Sequence, residues 1–232
     1  MPRQRARLLR TVIVCVFLGL LIYLFCPGSK ELPAQSAQPA AAAVLDFDSP
    51  DSTLVVVNKK RPVPADHAPQ DLADAGGVPL RAEAAGAYRQ MAAEAGAAGV
   101  PMSAVSGFRT GAEQDQLYVS YTENFGPEAA DAISARPGYS EHQTGLAIDI
   151  ANPDGTCALE SCFAETLAGS WAAANAQHYG FIIRYPAGAE HITGYAHEPW
   201  HLRYVGTEHA RTMHDAGTTL EEYLGLPAAP GY

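Results

Sequence analysis

Tyr139-Ser-Glu-His-Gln-Thr-Gly-Leu-Ala-Ile-Asp-Ile150 is the stretch from which the fold is read. From Gly145 onward the residues alternate as in a strand, and the apolar ones mark it as core. An ionised Asp149 facing into such a core needs a cation or several hydrogen bonds. An arginine partner, or a capping role at the turn Asn152-Pro-Asp-Gly155, would also satisfy it. His142 and Asp149 thus flank a segment where polar chemistry meets the interior.

Working outward, Ser103-Ala-Val-Ser-Gly-Phe108 reads as a second strand, followed by a helix over 111–122. Before it, Leu80, Ala84, Ala87, Tyr88, Met91 and Ala95 recur at helical spacing from Pro79, and Gly96 and Gly99 mark the end. The β-branched run Thr53-Leu-Val-Val-Val-Asn58 predicts a first strand. The proline-rich residues 59–77 predict an extended surface loop. Downstream, 164–179 reads as a helix, Phe181-Ile-Ile-Arg184 and His201-Leu-Arg-Tyr-Val205 as short strands, and 207–215 and 219–224 as closing helices. There is no repeat and no regular βαβ alternation. The expected fold is α+β, a mainly antiparallel sheet with flanking helices.

The 232 residues are 47% hydrophobic and 17% charged, with a formal net charge of -10, a composition that excludes wholesale disorder. Residues 1–30 hold Arg3, Arg5, Arg7, Arg10 and Lys30 and no acid, leaving the remainder with a formal charge of -15. So acidic a body repels phosphate backbones, and no nucleic-acid partner is expected. The basic end precedes Thr11-Val-Ile-Val-Cys-Val-Phe-Leu-Gly-Leu-Leu-Ile-Tyr-Leu-Phe-Cys26, close to the length that spans a bilayer. Residues 1–26 therefore read as an uncleaved single-pass anchor that keeps the arginines in the cytoplasm and sends the body outward. A cleavable signal peptide is the alternative, but Tyr23-Leu-Phe-Cys-Pro27 lacks the small residues of a cleavage site. Residues 27–53, rich in Gln, Pro, Ser and Ala, read as a disordered linker, and residues 54–232 as one folded domain. Cys157 and Cys162 are the one cysteine pair in that body. Outside the cytoplasm they are expected to form a disulfide, since no further Cys or His nearby completes a zinc knuckle.

His197-Glu-Pro-Trp-His201 matches the letters of H-E-x-x-H, in which a helix presents two metal-binding histidines. The backbone argues otherwise. Pro199 lies centrally, lacks a donor and pushes Glu198 toward extended geometry, and the flanks look like strand. What remains is Glu198 and His201 at a strand entrance. A serine D,D-peptidase would need S-x-x-K, which the body lacks.

Taken together, Ser140-x-His142-x-x-Gly145-x-Ala147-x-Asp149 and Glu198-Pro-Trp-His201 resemble the VanY-type zinc D-alanyl-D-alanine peptidases, carboxypeptidases and dipeptidases. The resemblance runs upstream through Ser106-Gly-Phe-Arg-Thr110 with Gln114, and takes in Val57-Asn-Lys-Lys60. It implies a fold related to hedgehog amino-terminal domains, one zinc per site, and cleavage of peptidoglycan stem peptides or precursors ending in D-Ala. On that resemblance His142, Asp149 and His201 hold zinc, and Arg109 faces the oxyanion. Gln114 and Ser140 touch substrate, and Trp200 walls the pocket.

The chemistry is self-consistent. Two imidazoles and one carboxylate leave a tetrahedral zinc one open position, as hydrolytic sites require. The metal would polarise the scissile carbonyl and lower the pKa of water. Glu198 would act as general base. The expected enzyme is a monomeric, membrane-attached D,D-carboxypeptidase with its domain outside the cytoplasm, with dipeptidase activity and glycopeptide resistance as extensions of the resemblance. The alternatives are an L,D-peptidase or endopeptidase of the same metal family and a non-catalytic zinc module that binds the wall. The presence of both Glu198 and Arg109 argues against the last.

Overall fold

The structure, a computed structural model, describes residues 45–232. The expected anchor, residues 1–26, and the linker as far as residue 44 lie outside the described residues. Among the described residues no helix is long and apolar enough to cross a membrane.

A four-stranded antiparallel sheet runs in the order β3 (Ser103–Ser106), β4 (Ala147–Ala151), β6 (Glu198–Tyr204), β5 (Phe181–Tyr185). Period-2 alternation gives its two faces different jobs. Ile148, Ile150, Phe181 and Leu202 enter the main core beneath α1 (Ala82–Ala97), which contributes Ala84, Tyr88, Met91 and Ala95. Phe163, Ala168, Ala172 and Ala176 close the same core. The intervening residues Asp149, His201, Arg203 and Arg184 are buried as well, so the other face carries a polar interior. Gly145, at φ 67, turns the 3₁₀ helix Glu141–Thr144 into β4, a conformation that suits glycine.

A smaller core gathers Leu54, Val56, Ile182 and Val205 under α6 (Thr207–Ala216) and α7 (Leu220–Tyr223), through Ala210, Met213 and Leu220. Leu45 and Phe47 pack on it, so the packed body extends upstream of Leu54 into the expected linker.

Five elements differ from expectation. Residues 53–58 form no ladder strand. Val55 and Val57 enter the main core while Leu54 and Val56 enter the smaller one, and Arg203 Nη2 donates to the carbonyls of Thr53 and Val55 at 3.0 and 2.7 Å. A side chain replaces the neighbouring strand. Pro79 does not open α1: Pro79–Arg81 is β2, paired with β1 (Leu72–Asp74), where a proline at the first position of an edge strand is tolerated. The helix expected over 164–179 is broken into the 3₁₀ helix Ser161–Glu165, α4 (Leu167–Asn175) and the 3₁₀ helix Ala176–Tyr179. Thr166 starts α4 afresh by accepting from the Gly169 amide. Beyond α2 (Gly111–Phe125), capped by Thr110 with Glu113, the helix α3 (Pro127–Ile133) follows at once, with Pro127 at its first turn. A further short helix, α5 (Glu190–Thr193), precedes β6.

Candidate active site and metal centre

The ladder itself assembles the centre. Asp149 of β4 lies directly opposite His201 of β6 and also pairs with Ser106 of β3. His142, on the 3₁₀ turn before β4, reaches the same point. One ligand atom from each of His142, Asp149 and His201 falls within 4.8 Å of the others, and all three residues are buried. His142 Nε2 is 3.3 Å from Asp149 Oδ2, and His201 Nδ1 is 3.1 Å from Asp149 Oδ1.

The donor set fits a metal. His142 Nδ1 lies 2.7 Å from the Gly107 carbonyl, which can only accept. Nδ1 can therefore donate to that carbonyl, which turns Nε2 toward the centre, the orientation that metal-binding imidazoles adopt. Asp149 Oδ1 is buried and makes no hydrogen bond, although His201 Nδ1 is close. Burial opposes charge on both residues, yet the two histidines hold the Asp149 carboxyl well below the usual range. In turn the carboxylates of Asp149 and Glu141 push His201 up to about 10. Buried carboxylates packed this closely favour a cation beside them.

Glu198 opens β6, its Oε2 3.8 Å from His201 Nδ1. The β5–β6 register is irregular here: Ile183 faces Leu202, but Tyr185 faces Glu198, so β6 uses two more residues than β5. Such a bulge re-aims a side chain at a sheet edge. Glu198 is pushed up to about 7, chiefly by burial, with Asp149 and Glu141 adding to the effect and His201 opposing it. The His197–His201 segment is strand from Glu198, not helix, and His197 is outside the metal-binding group.

Arg109 follows β3 and is aimed by two contacts, donating from Nη1 to Gln114 Oε1 and from Nη2 to Ser106 Oγ, each at 2.8 Å. Gln114 is buried and its amide donates to the Ala135 carbonyl at 2.7 Å. Both ends of the Gln114 side chain are occupied, so it holds Arg109 to the loop after α3. Ser140 lines the same cleft, and Trp200 both lines it and packs on the main core. The cleft, about 370 Å³, exposes His142, Asp149, Glu198 and His201 on its floor. Leu117, Tyr121, Phe125 and Ile133 form an apolar wall, and Leu159 projects from the loop closed by the Cys157–Cys162 disulfide.

The family model described as VanY, D-alanyl-D-alanine carboxypeptidase, matches residues 77–207, the span holding every one of these groups. The chain belongs to the VanY D-alanyl-D-alanine carboxypeptidase family. It is 39% identical over 192 residues to the putative carboxypeptidase YodJ of Bacillus subtilis (strain 168), covering 77% of this chain and 69% of that protein. Among solved structures, the LD-carboxypeptidase LdcB superposes with a TM-score of 0.71 at 39% identity, over 76% of this chain and 87% of LdcB. A point mutant of the D,D-pentapeptidase VanY from a VanB-type vancomycin-resistance cassette, solved with Zn(II), gives 0.66 at 33% identity, over 74% and 98%.

Several contributors to this VanY-family cleft were given no role from sequence. Glu141 lies at 3.6 Å from His201 Nε2. Tyr185 and Tyr195 pack with ring centroids 4.8 Å apart and line the cleft, Tyr185 lying 5.0 Å from the His201 ring. Lys59 sits 4.5 Å over the Tyr195 ring and donates to the carbonyls of Asp131 and Gly194, tying α3 to the loop that carries Tyr195. The one signal for Glu141 was its place beside His142, where nothing in a single sequence distinguishes a buried glutamate from an exposed one.

Proposed function

We propose that this chain is a zinc-dependent D,D-carboxypeptidase that hydrolyses the terminal D-Ala-D-Ala bond of peptidoglycan stem peptides or precursors. One observation carries the reading: His142, Asp149 and His201 converge on one point in a cleft that also holds Glu198 and a positioned Arg109. Zinc held by those three side chains would supply Lewis-acid polarisation of the scissile carbonyl and lower the pKa of the attacking water.

The protein's own groups do the rest. Glu198, raised to about 7 by burial, takes a proton near neutral pH and returns it to the leaving amine. Arg109, held by Ser106 and Gln114, presents a fixed guanidinium to the developing oxyanion. Ser140 and Trp200 border the substrate, and the wall from Leu117 to Ile133 shields the reacting carbonyl from water on one side. Dipeptidase activity belongs to the same reading, as does a role in glycopeptide resistance, because trimming the end of the stem removes the drug's target. The enzyme acts as a monomer. Residues 1–26 anchor it in the bacterial membrane, a tether follows, and the packed body, which takes in Leu45 and Phe47, works outside the cytoplasm.

The second reading is L,D-carboxypeptidase activity, favoured by the likeness to LdcB. Mass spectrometry of defined peptides separates the two. A pentapeptide ending in D-Ala-D-Ala should lose one D-Ala, and chelator should abolish the loss. Cleavage confined to the tetrapeptide would instead establish the L,D activity. Location is tested by adding protease to intact, wall-stripped cells: digestion of the domain is expected, and full protection would reverse the topology.

A further inference from the structure

We propose that Glu141 is a positioning residue for the metal centre. Its Oε2 accepts the Nε2–H of His201 and so fixes the ring tautomer that turns Nδ1 toward the metal. The inference rests on the zinc reading above and adds to it a residue from outside the ligand set.

The observation is a pair of orphans. Glu141 Oε2 and His201 Nε2 are both buried, neither has a hydrogen-bond partner among the described residues, and they face each other at 3.6 Å. Buried polar atoms are rarely left unpaired, and each is the available complement of the other. The far side of the carboxylate is fully engaged. Glu141 Oε1 accepts from Arg184 Nε and Arg203 Nη1, both at 2.8 Å. Arg184 is itself gripped by Glu221 through two bonds of 2.9 and 2.6 Å, and Asn58 donates to Glu221 at 3.0 Å. Arg203 is pinned to the carbonyls of Thr53 and Val55. All four charged residues of this network are buried, and two arginines balance two glutamates. The carboxylate is therefore ionised and cannot swing away.

A neutral imidazole carries one N–H, and an acceptor-only neighbour decides which nitrogen bears it. On His201 the Nδ1 side faces Asp149 and Glu198, and the Nε2 side faces Glu141. Carboxylates thus flank both ring nitrogens, and a metal ion shared with Asp149 at Nδ1 would leave the proton to Nε2, where Glu141 is the acceptor. One 3₁₀ turn thus supplies a ligand, His142, and through the adjacent Glu141 the orienter of another ligand.

Zinc affinity of the folded protein, measured by competition with a coloured chelator, tests this in two variants. Glu141→Gln can turn an N–H toward His201 Nε2 in place of the acceptor, and zinc should bind ~10–100-fold more weakly, the usual cost of losing such a partner. Glu221→Gln loosens Arg184 while Arg203 still holds residue 141, and should lower the melting temperature with a much smaller effect on zinc affinity. Equal zinc affinity in Glu141→Gln and wild type, or equal losses in the two variants, overturns the role. Nitrogen NMR of the zinc-loaded wild type needs no variant: a proton on His201 Nε2 is expected, and coordination through Nε2 overturns the proposal. Wild-type protein that takes up no zinc at all sinks the zinc reading together with this one, whereas zinc-replete wild type with an indifferent Glu141→Gln sinks this one alone.

Discussion

Asp149 and His201 are direct partners across the β4–β6 ladder, with Asp149 Oδ1 3.1 Å from His201 Nδ1. Backbone pairing therefore sets the spacing of two of the three candidate ligands, since opposed residues in an antiparallel ladder stand at fixed separation. A site built on a ladder is preorganised in a way that a loop site is not. Only His142 comes from a turn, and that turn is pinned by the Nδ1 contact to Gly107.

Removing any one of His142, Asp149 or His201 should accordingly cost metal before it costs fold. Alanine at each position is expected to lower the zinc content of purified protein while far-UV circular dichroism stays native. His197→Ala should keep its zinc, because His197 borders the cleft without joining the cluster. Loss of zinc from His197→Ala with retention in His142→Ala would restore the helical two-histidine motif that the strand geometry of β6 rejects.

Arg109 is expected to act on the transition state. Its guanidinium is aimed by Ser106 and Gln114 rather than neutralised by an acidic partner. Losing one such donor costs ~10²–10³-fold in turnover, and lysine should restore little because a point charge lacks the planar fork. Steady-state kinetics decide the matter: a raised KM at unchanged kcat for Arg109→Ala would make the residue a substrate clamp only. Gln114→Ala should show a weaker form of the Arg109 defect, since Gln114 holds that side chain.

The Cys157–Cys162 bridge closes a short loop, so its removal by paired serine substitution should cost no more than ~2 kcal/mol on the loop-entropy scale. Its link to function is Leu159, which sits at φ 55 within the loop and lines the cleft together with residues of α2. The double variant is expected to raise KM for stem peptides more than it lowers kcat. A large fall in kcat at constant KM would show that the loop shapes the catalytic groups instead.

How far the sequence could be read follows from where each signal resides. The strand at 147–151 was legible because its apolar residues alternate, and Asp149 stood out because an acid in that pattern needs a reason. Pro199 was enough to exclude a helix at 197–201. By contrast, the Val-rich run at 54–57 looks like a strand and is not one, because its carbonyls find Arg203, about 150 positions away in the chain. Glu141 and Tyr185 could not be singled out, and Lys59, quoted only within Val57-Asn-Lys-Lys60, could be given no role, for the same reason. Their importance lies in long-range contacts with Arg184, His201 and Gly194, and nothing in the local pattern encodes such partners. Pro79 misled through a local rule: proline suits the start of a helix and the start of an edge strand equally well.

The final prediction concerns Glu198, where function and stability pull in opposite directions. Its side chain is only 13% exposed, and burial, aided by Asp149 and Glu141, pushes it up to about 7. The unfolded chain releases this proton near 4.5 and the folded chain only near 7. As pH rises between those values the unfolded state is therefore favoured progressively, and above about 7 the whole cost is present. At ~1.4 kcal/mol per pH unit that cost is roughly 3.5 kcal/mol at most. Glu198→Gln removes the charge while keeping the shape. In metal-free protein it should raise the melting temperature at pH 8 and make little difference at pH 4.5. In the zinc-loaded enzyme the same variant should retain the metal and lose ~10²–10⁴-fold in turnover, the range for a general base. Equal melting temperatures for variant and wild type at both pH values would remove the stability argument. Parallel loss of zinc and activity would make Glu198 a ligand rather than a base.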